Sequence, residues 1–134
     1  MTQRTVLQTS AGLDVTFKES ASGDITATFY DASGAALNKA SLATLTATLK
    51  TAADETTINS RDAQTIKDAN GGAVTTAGVL TLKLQPLDNI IVSSSVAVGE
   101  VETHWLDLIW TWVDSDTVTR TGTYPASFGV LNLP

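Results

Sequence analysis

The chain contains no cysteine. That excludes disulfides, thiolate metal sites and cysteine nucleophiles. Positive charge is scarce too: eight lysines and arginines stand against fourteen carboxylates, giving a net charge of −6. The basic residues are scattered singly, so no cationic stripe exists to neutralise phosphates. Binding to nucleic acid or to an anionic membrane surface is not expected. Uncharged runs such as NIIVSSSVAVG (89–99) are too short and too polar to span a bilayer. The opening MTQRTVLQTSAG has no apolar core of the kind a signal peptide needs, so the expected place of synthesis and folding is a cytoplasm.

What remains is a folded composition, with 43% hydrophobic and 16% charged residues in 134 positions. That length suits one domain with a real core. The expected division is a polar N-terminal arm, Met1–Ser10, followed by a single domain over residues 11–134. Threonine fills many polar positions, and its branched Cβ suits pleated strands.

Alternation of apolar and polar residues is the main periodic signal. Leu13, Val15 and Phe17 share one face of GLDVTFK. Ile25, Ala27 and Phe29 do so in DITATFY, Leu45, Ala47 and Leu49 in LATLTATLK, and Leu80, Leu82 and Leu84 in GVLTLKLQ. Each predicts a half-buried strand with a wet, threonine-rich face. DASG (31–34) and DSDT (114–117) predict tight turns, the second closing a hairpin between VETHWLDLIWTWV and VTRTGTY. Pro125 is expected to end the returning ladder. Two inserts interrupt the strands. SRDAQTIKDANGG (60–72) predicts a two-turn helix with Asp62 as N-cap, Ile66 as apolar anchor and Asn70–Gly71 as C-cap. QPLDNIIV (85–92) predicts one helical turn opened by Pro86. The expected fold class is therefore all-β: an immunoglobulin-like antiparallel β-sandwich of about seven strands with two short helical inserts. A closed barrel is the alternative.

VETHWLDLIWTWVDSD holds all three tryptophans and the single histidine. Side chains alternate faces along a strand. One face carries His104, Leu106, Leu108, Trp110 and Trp112; the other carries Val101, Thr103, Trp105, Asp107, Ile109, Thr111 and Val113. Both are largely apolar, so each calls for a cover, a second sheet on one side and a loop, helix or partner chain on the other. Trp105, Ile109, Trp110 and Trp112 are the candidate interface or ligand platform. Tryptophan serves equally in cores, interfaces and sugar platforms, and Trp110 and Trp112 lie about 7 Å apart by strand rise. A carbohydrate-binding module using those two rings is therefore a competing class.

Glu100, Glu102 and His104 also share a face and form a candidate pH-sensitive cluster. E-x-E-x-H offers two oxygens and a nitrogen to a metal, but no second histidine completes a ligand set. No metal or cofactor is expected. A nucleophile elbow of the form G-x-S-x-G is missing, and Gly71–Gly72 with Gly78 make no phosphate loop. An enzyme is not expected.

The segment TINSRDAQTIKDANGGAVTTAGVLTLKLQPLDNIIV, followed by VETHWLDLIWTWV, resembles a family of small virion proteins of tailed bacteriophages. The matching features are I-N-S-R at Ile58–Arg61, N-G at Asn70–Gly71, the P-x-D-N turn at Pro86–Ile90, and the acidic, His- and Trp-bearing strand at Glu100–Trp112. DITATFYDASGAAL (24–37) is similar to the first strands of immunoglobulin-like adaptor domains in phage tails and baseplates. The resemblance implies a non-enzymatic structural role in the virion, as head decoration or head–tail neck component, or alternatively as a tail or baseplate adaptor. The implied partners are capsid, neck or tail subunits and further copies of the chain. It names no catalytic residue.

Overall fold

The computed structural model describes residues 5–9 and 16–134. Nine strands occur among the described residues: β1 (Thr5–Thr9), β2 (Thr16–Lys18), β3 (Gly23–Phe29), β4 (Leu42–Thr51), β5 (Gln64–Thr65), β6 (Gly72–Val74), β7 (Val79–Leu84), β8 (Val101–Val113) and β9 (Thr119–Leu131). They form two separate sheets, ordered β1-β3-β7-β6 and β2-β9-β8-β4-β5. All pairings are antiparallel except β2 with β9, which is parallel. One apolar core draws on both sheets, so the architecture is all-β and sandwich-like, not a closed barrel.

The alternating segments occupy the places their period predicts. Ile25, Ala27 and Phe29 of β3 are buried, as are Leu45, Ala47 and Leu49 of β4 and Leu80, Leu82 and Leu84 of β7. The intervening threonines stay half-exposed. Of GLDVTFK, only Thr16–Lys18 falls among the described strands; residues 11–15 lie outside the described residues.

Four expectations need correction. Part of the segment taken for an arm is a strand: Thr5–Thr9 pairs antiparallel with β3, while residues 1–4 and 10 lie outside the described residues. The helix expected over SRDAQTIKDANGG does not form. Ala63, Asp68 and Asn70 all have positive φ, which no α-helix accommodates. Their neighbourhood is held by side-chain bonds instead, with Asp68 accepting from the Val74 amide (2.9 Å) and Asn70 donating to the Thr65 carbonyl (2.8 Å). The segment runs along the edge of β4 as β5, and Ile66 remains its buried anchor. The second insert is a single 3-10 turn, Pro86–Asn89, with proline at its start as expected, but Leu87 points to solvent. Finally, β9 runs straight through Pro125, which faces Asp107 of β8. A proline survives within a ladder where its nitrogen faces away from the bonded neighbour.

Both predicted aspartate turns form. Asp31 accepts from the amides of Ser33 and Ala35, and Asp114 accepts from those of Asp116 and Val118. Arg120 adds a 2.6 Å bond to the other Asp114 oxygen. These side chains replace backbone acceptors and fix the connections β3–β4 and β8–β9.

Candidate functional site: the two faces of strand β8

Strand β8 lies between β4 and β9 as the middle strand of the five-stranded sheet. Its period of two sends Glu102, His104, Leu106, Leu108, Trp110 and Trp112 inward. Trp110 is 0% exposed and Trp112 3%. Trp110 lies against Phe29 of the opposite sheet, with ring centroids 4.9 Å apart, and its indole nitrogen donates to the Tyr30 carbonyl at 3.3 Å. Gly122 of β9 passes directly beneath: a Cβ there would come within 2.3 Å of the indole. Trp110 and Trp112 are therefore core, and the flat surface pair that a sugar would need is not presented. Trp112 does line a cleft of about 440 Å³ between the Asp31 turn and the β8–β9 hairpin, together with Asp116 and Arg120.

At the other end of the inward face, Glu102 and His104 are buried as a pair. The His104 Nε2 donates to Glu102 Oε1 at 2.7 Å. The same carboxylate accepts from the amides of Val92 (3.0 Å) and Ser93 (2.8 Å). Glu102 thereby pins the connection between the 3-10 turn and β8 to the sheet. Glu100 is not part of this cluster: it is exposed and accepts from the Ala97 amide. The three residues read as one cluster are thus a buried pair and a separate loop residue. Among the described residues, no group of three or more His, Cys, Asp or Glu side chains is placed to hold a metal.

Burial works against charge on Glu102, but the hydrogen bonds from Val92, His104 and Ser93 outweigh it, and its pKa lies below the ordinary 4.5. A lowered folded pKa means that the ionised carboxylate stabilises the native state above about pH 4.5, and that this contribution drains away as pH falls through the folded value. We expect the melting temperature to drop on acidification below that point, and Glu102→Gln to flatten the drop while lowering stability at neutral pH. Thermal melts between pH 3 and 7 check this; parallel acid limbs for the two proteins would refute it.

The opposite face of β8 is open. Trp105 is 38% exposed and Ile109 36%, with Val101 and Val113 beyond them. No described element covers this side. Trp105 is held by its neighbours: the Lys50 ammonium of β4 lies 5.7 Å from its ring centroid, and Ser127 of β9 faces it across the ladder. Lys50 also pairs with Asp107 at 3.4 Å and Glu55 at 3.1 Å. Around Trp105 lies a shallow depression of about 300 Å³, bordered by Lys50, Asp107 and Pro125. Of the four residues named as platform, the fold thus splits two to the core and two to an outer face.

One constellation escaped the sequence reading. Arg61 and Asp88 form a buried ion pair, with Nε to Oδ1 at 2.6 Å and Nη2 to Oδ2 at 3.1 Å. Asn59 and the Gln85 amide donate to the same carboxylate, and Arg61 Nη1 donates to the Asn70 carbonyl and to Gln64. The I-N-S-R, N-G and P-x-D-N segments therefore meet in one bonded knot. The available signal was a lone arginine and a lone aspartate inside turn-forming segments 27 positions apart. Comparison with protein-family models and with curated proteins returns no match.

Proposed function

We propose that this chain is a non-enzymatic, immunoglobulin-like assembly protein that works through protein–protein contacts made by the outer face of its five-stranded sheet. The observation that carries the reading is the exposed apolar row of β8, centred on Trp105 and Ile109. Large apolar side chains exposed at Val101, Trp105, Ile109 and Val113, alternating with Thr103, Asp107 and Thr111 on a strand whose other face is fully packed, are the kind of surface that protein contacts use, and tryptophan is a preferred anchor in such surfaces.

The strand order supports the immunoglobulin-like part. Such domains place strands A, B, E and D in one sheet and G, F, C and C′ in the other. The orders β1-β3-β7-β6 and β9-β8-β4-β5 follow that plan, with β2 added alongside β9. The virion part rests on the resemblance to small proteins of tailed phages. Its motif segments converge on the Arg61–Asp88 knot, which supports their reading as framework. Head decoration or a head–tail neck position is the preferred setting. A tail or baseplate adaptor is the second reading, favoured by the segment that builds β3 and the Asp31 turn. Burial of Trp110 and Trp112 removes the support for a sugar platform built on them.

Co-sedimentation with purified phage heads and, separately, with purified tails tests the proposal. Binding to heads that Trp105→Ala abolishes, without change in melting temperature, is the expected result. Binding to tails alone moves the protein to the second reading, and binding to neither overturns the virion role.

A further inference from the structure

The cleft at one end of the sandwich, where the Asp31 turn meets the β8–β9 hairpin, has no part in the outer-face reading. Loops held on a rigid scaffold are favoured places for binding, and both of these loops are pinned by an aspartate. Asp31, Asp114, Asp116 and Arg120 border the cleft. Asp114 and Arg120 neutralise each other through their 2.6 Å contact. Asp31 and Asp116 meet no cation among the described residues. The bonds that Asp31 accepts from Ser33 and Ala35 all fall on Oδ1, so Oδ2 can take a further donor. The Ser33 hydroxyl, with the Ala35 amide, holds the Asp31 carboxyl below the usual carboxylate range. The cleft thus carries two uncompensated negative charges. Its floor supplies a donor as well. Trp112 is 3% exposed, and its indole N–H makes no hydrogen bond with any described residue. Among the described residues the enclosed polar atoms without a partner are Asn89 Oδ1 and His104 Nδ1. The Trp112 nitrogen is therefore not sealed in: the small exposed part of the ring includes it and opens on the cleft that Trp112 lines. A nearly buried N–H without an acceptor is costly, and a ligand that brings one removes that cost.

We infer that this cleft binds an arginine side chain of a partner polypeptide, its guanidinium pairing with the Asp31 and Asp116 carboxylates and a carbonyl of its backbone accepting from Trp112. The inference stands apart from the assembly reading of the outer sheet face and uses none of its residues. The charge of the cleft calls for a cation. The placement of its acceptors selects the kind: among the described residues no three acidic or histidine side chains converge as a metal ion would need. Separated acceptors suit a planar fork with five N–H donors better than a point charge such as an ammonium. Ser33 and Ser41 add hydroxyl oxygens along the same wall. A neutral backbone carbonyl suits Trp112 better than a carboxylate, which the two uncompensated charges would repel. The size agrees. At about 440 Å³ the cleft falls toward the lower end of ligand sites, which span about 300–1,000 Å³, so it takes a side chain with its flanking backbone and not a folded element.

Nuclear magnetic resonance on the isotope-labelled full chain tests this with blocked Gly-X-Gly peptides in which X is arginine, citrulline or lysine. The arginine peptide is expected to shift the Trp112 indole signal and the amides of residues 31–33 and 114–116, and to leave the Trp105 indole unmoved. Citrulline keeps the shape of the guanidinium but not its charge, so its peptide should bind about tenfold more weakly. The lysine peptide should also bind more weakly, because it lacks the fork. In the protein, Asp116→Asn should weaken binding of the arginine peptide by about threefold or more. Its melting temperature should match the parent's, because the Asp116 side chain is exposed and holds no bond among the described residues. No Trp112 shift at the highest soluble peptide concentration, equal binding by the citrulline or lysine peptide, or unchanged binding by Asp116→Asn each overturns the inference. Shifts centred on Trp105 instead would place the ligand on the outer sheet face and overturn it too.

Discussion

Trp110→Ala is expected to lower stability by about 3–5 kcal/mol, the usual range for removing a large aromatic side chain from a core. The indole is fully buried, it faces Phe29 across the two sheets, and Gly122 is shaped to its underside. Small residues cannot shift to fill the space, because a strand pair fixes β9 at its distance from β8. Since domains of this size hold only about 5–15 kcal/mol in total, the variant should melt more than roughly 10 °C below the parent or fail to accumulate folded. Gly122→Ala attacks the same contact from the other side and should also destabilise, because its new methyl group would need the space of the indole. Thermal melts followed by tryptophan fluorescence and circular dichroism decide both. A Trp110→Ala protein melting with the parent would show that β8 is not the centre of the core.

Asp88→Ala is the second large effect. The carboxylate holds the Arg61 guanidinium through two bonds and also accepts from Asn59 and the Gln85 amide. Removing it leaves a buried cation without its partner, which typically costs about 3–5 kcal/mol. The design of the test matters, because a buried pair is a poor guide to net stability. Replacing both members together, Arg61→Met with Asp88→Leu, should cost less than Asp88→Ala alone, since no uncompensated charge remains. A double variant losing the sum of both single losses would mean that the two residues act independently. The knot joins the β4–β5 connection to the 3-10 turn, so hydrogen exchange in Asp88→Ala should rise first at residues 59–71 and 85–92.

Local period accounts for most of what the sequence made legible. Strand β8 begins and ends at the predicted residues, 101 and 113, and both aspartate turns sit where their side chains demand. Parity also carried information that went unused: Glu102 and His104 share their face with Trp110, so a core role for the tryptophan already implied burial for the pair. The failures have physical causes. The helix over 60–72 lost because Asp68 and Asn70 bond their own surroundings more readily than they support a helix, and because β4 offered an edge to pair with. The Arg61–Asp88 knot left no local trace, since no period links residues 27 positions apart across a turn. Which face of β8 would remain open was equally beyond reach, because it depends on where the four-stranded sheet docks.

The parallel pairing of β2 with β9 has a mechanical consequence. Thr16–Lys18 lies beside Gly129–Leu131 with both strands running the same way. Tension applied from before β2 and after β9 pulls the two strands in opposite directions along their axes. The ladder is then loaded in shear, and its bonds must yield together instead of opening one at a time from an end. Resistance to pulling is set by the rate of that rupture and not by equilibrium stability. Force applied across β2 and β9 therefore meets more resistance than prying at the β8–β9 hairpin.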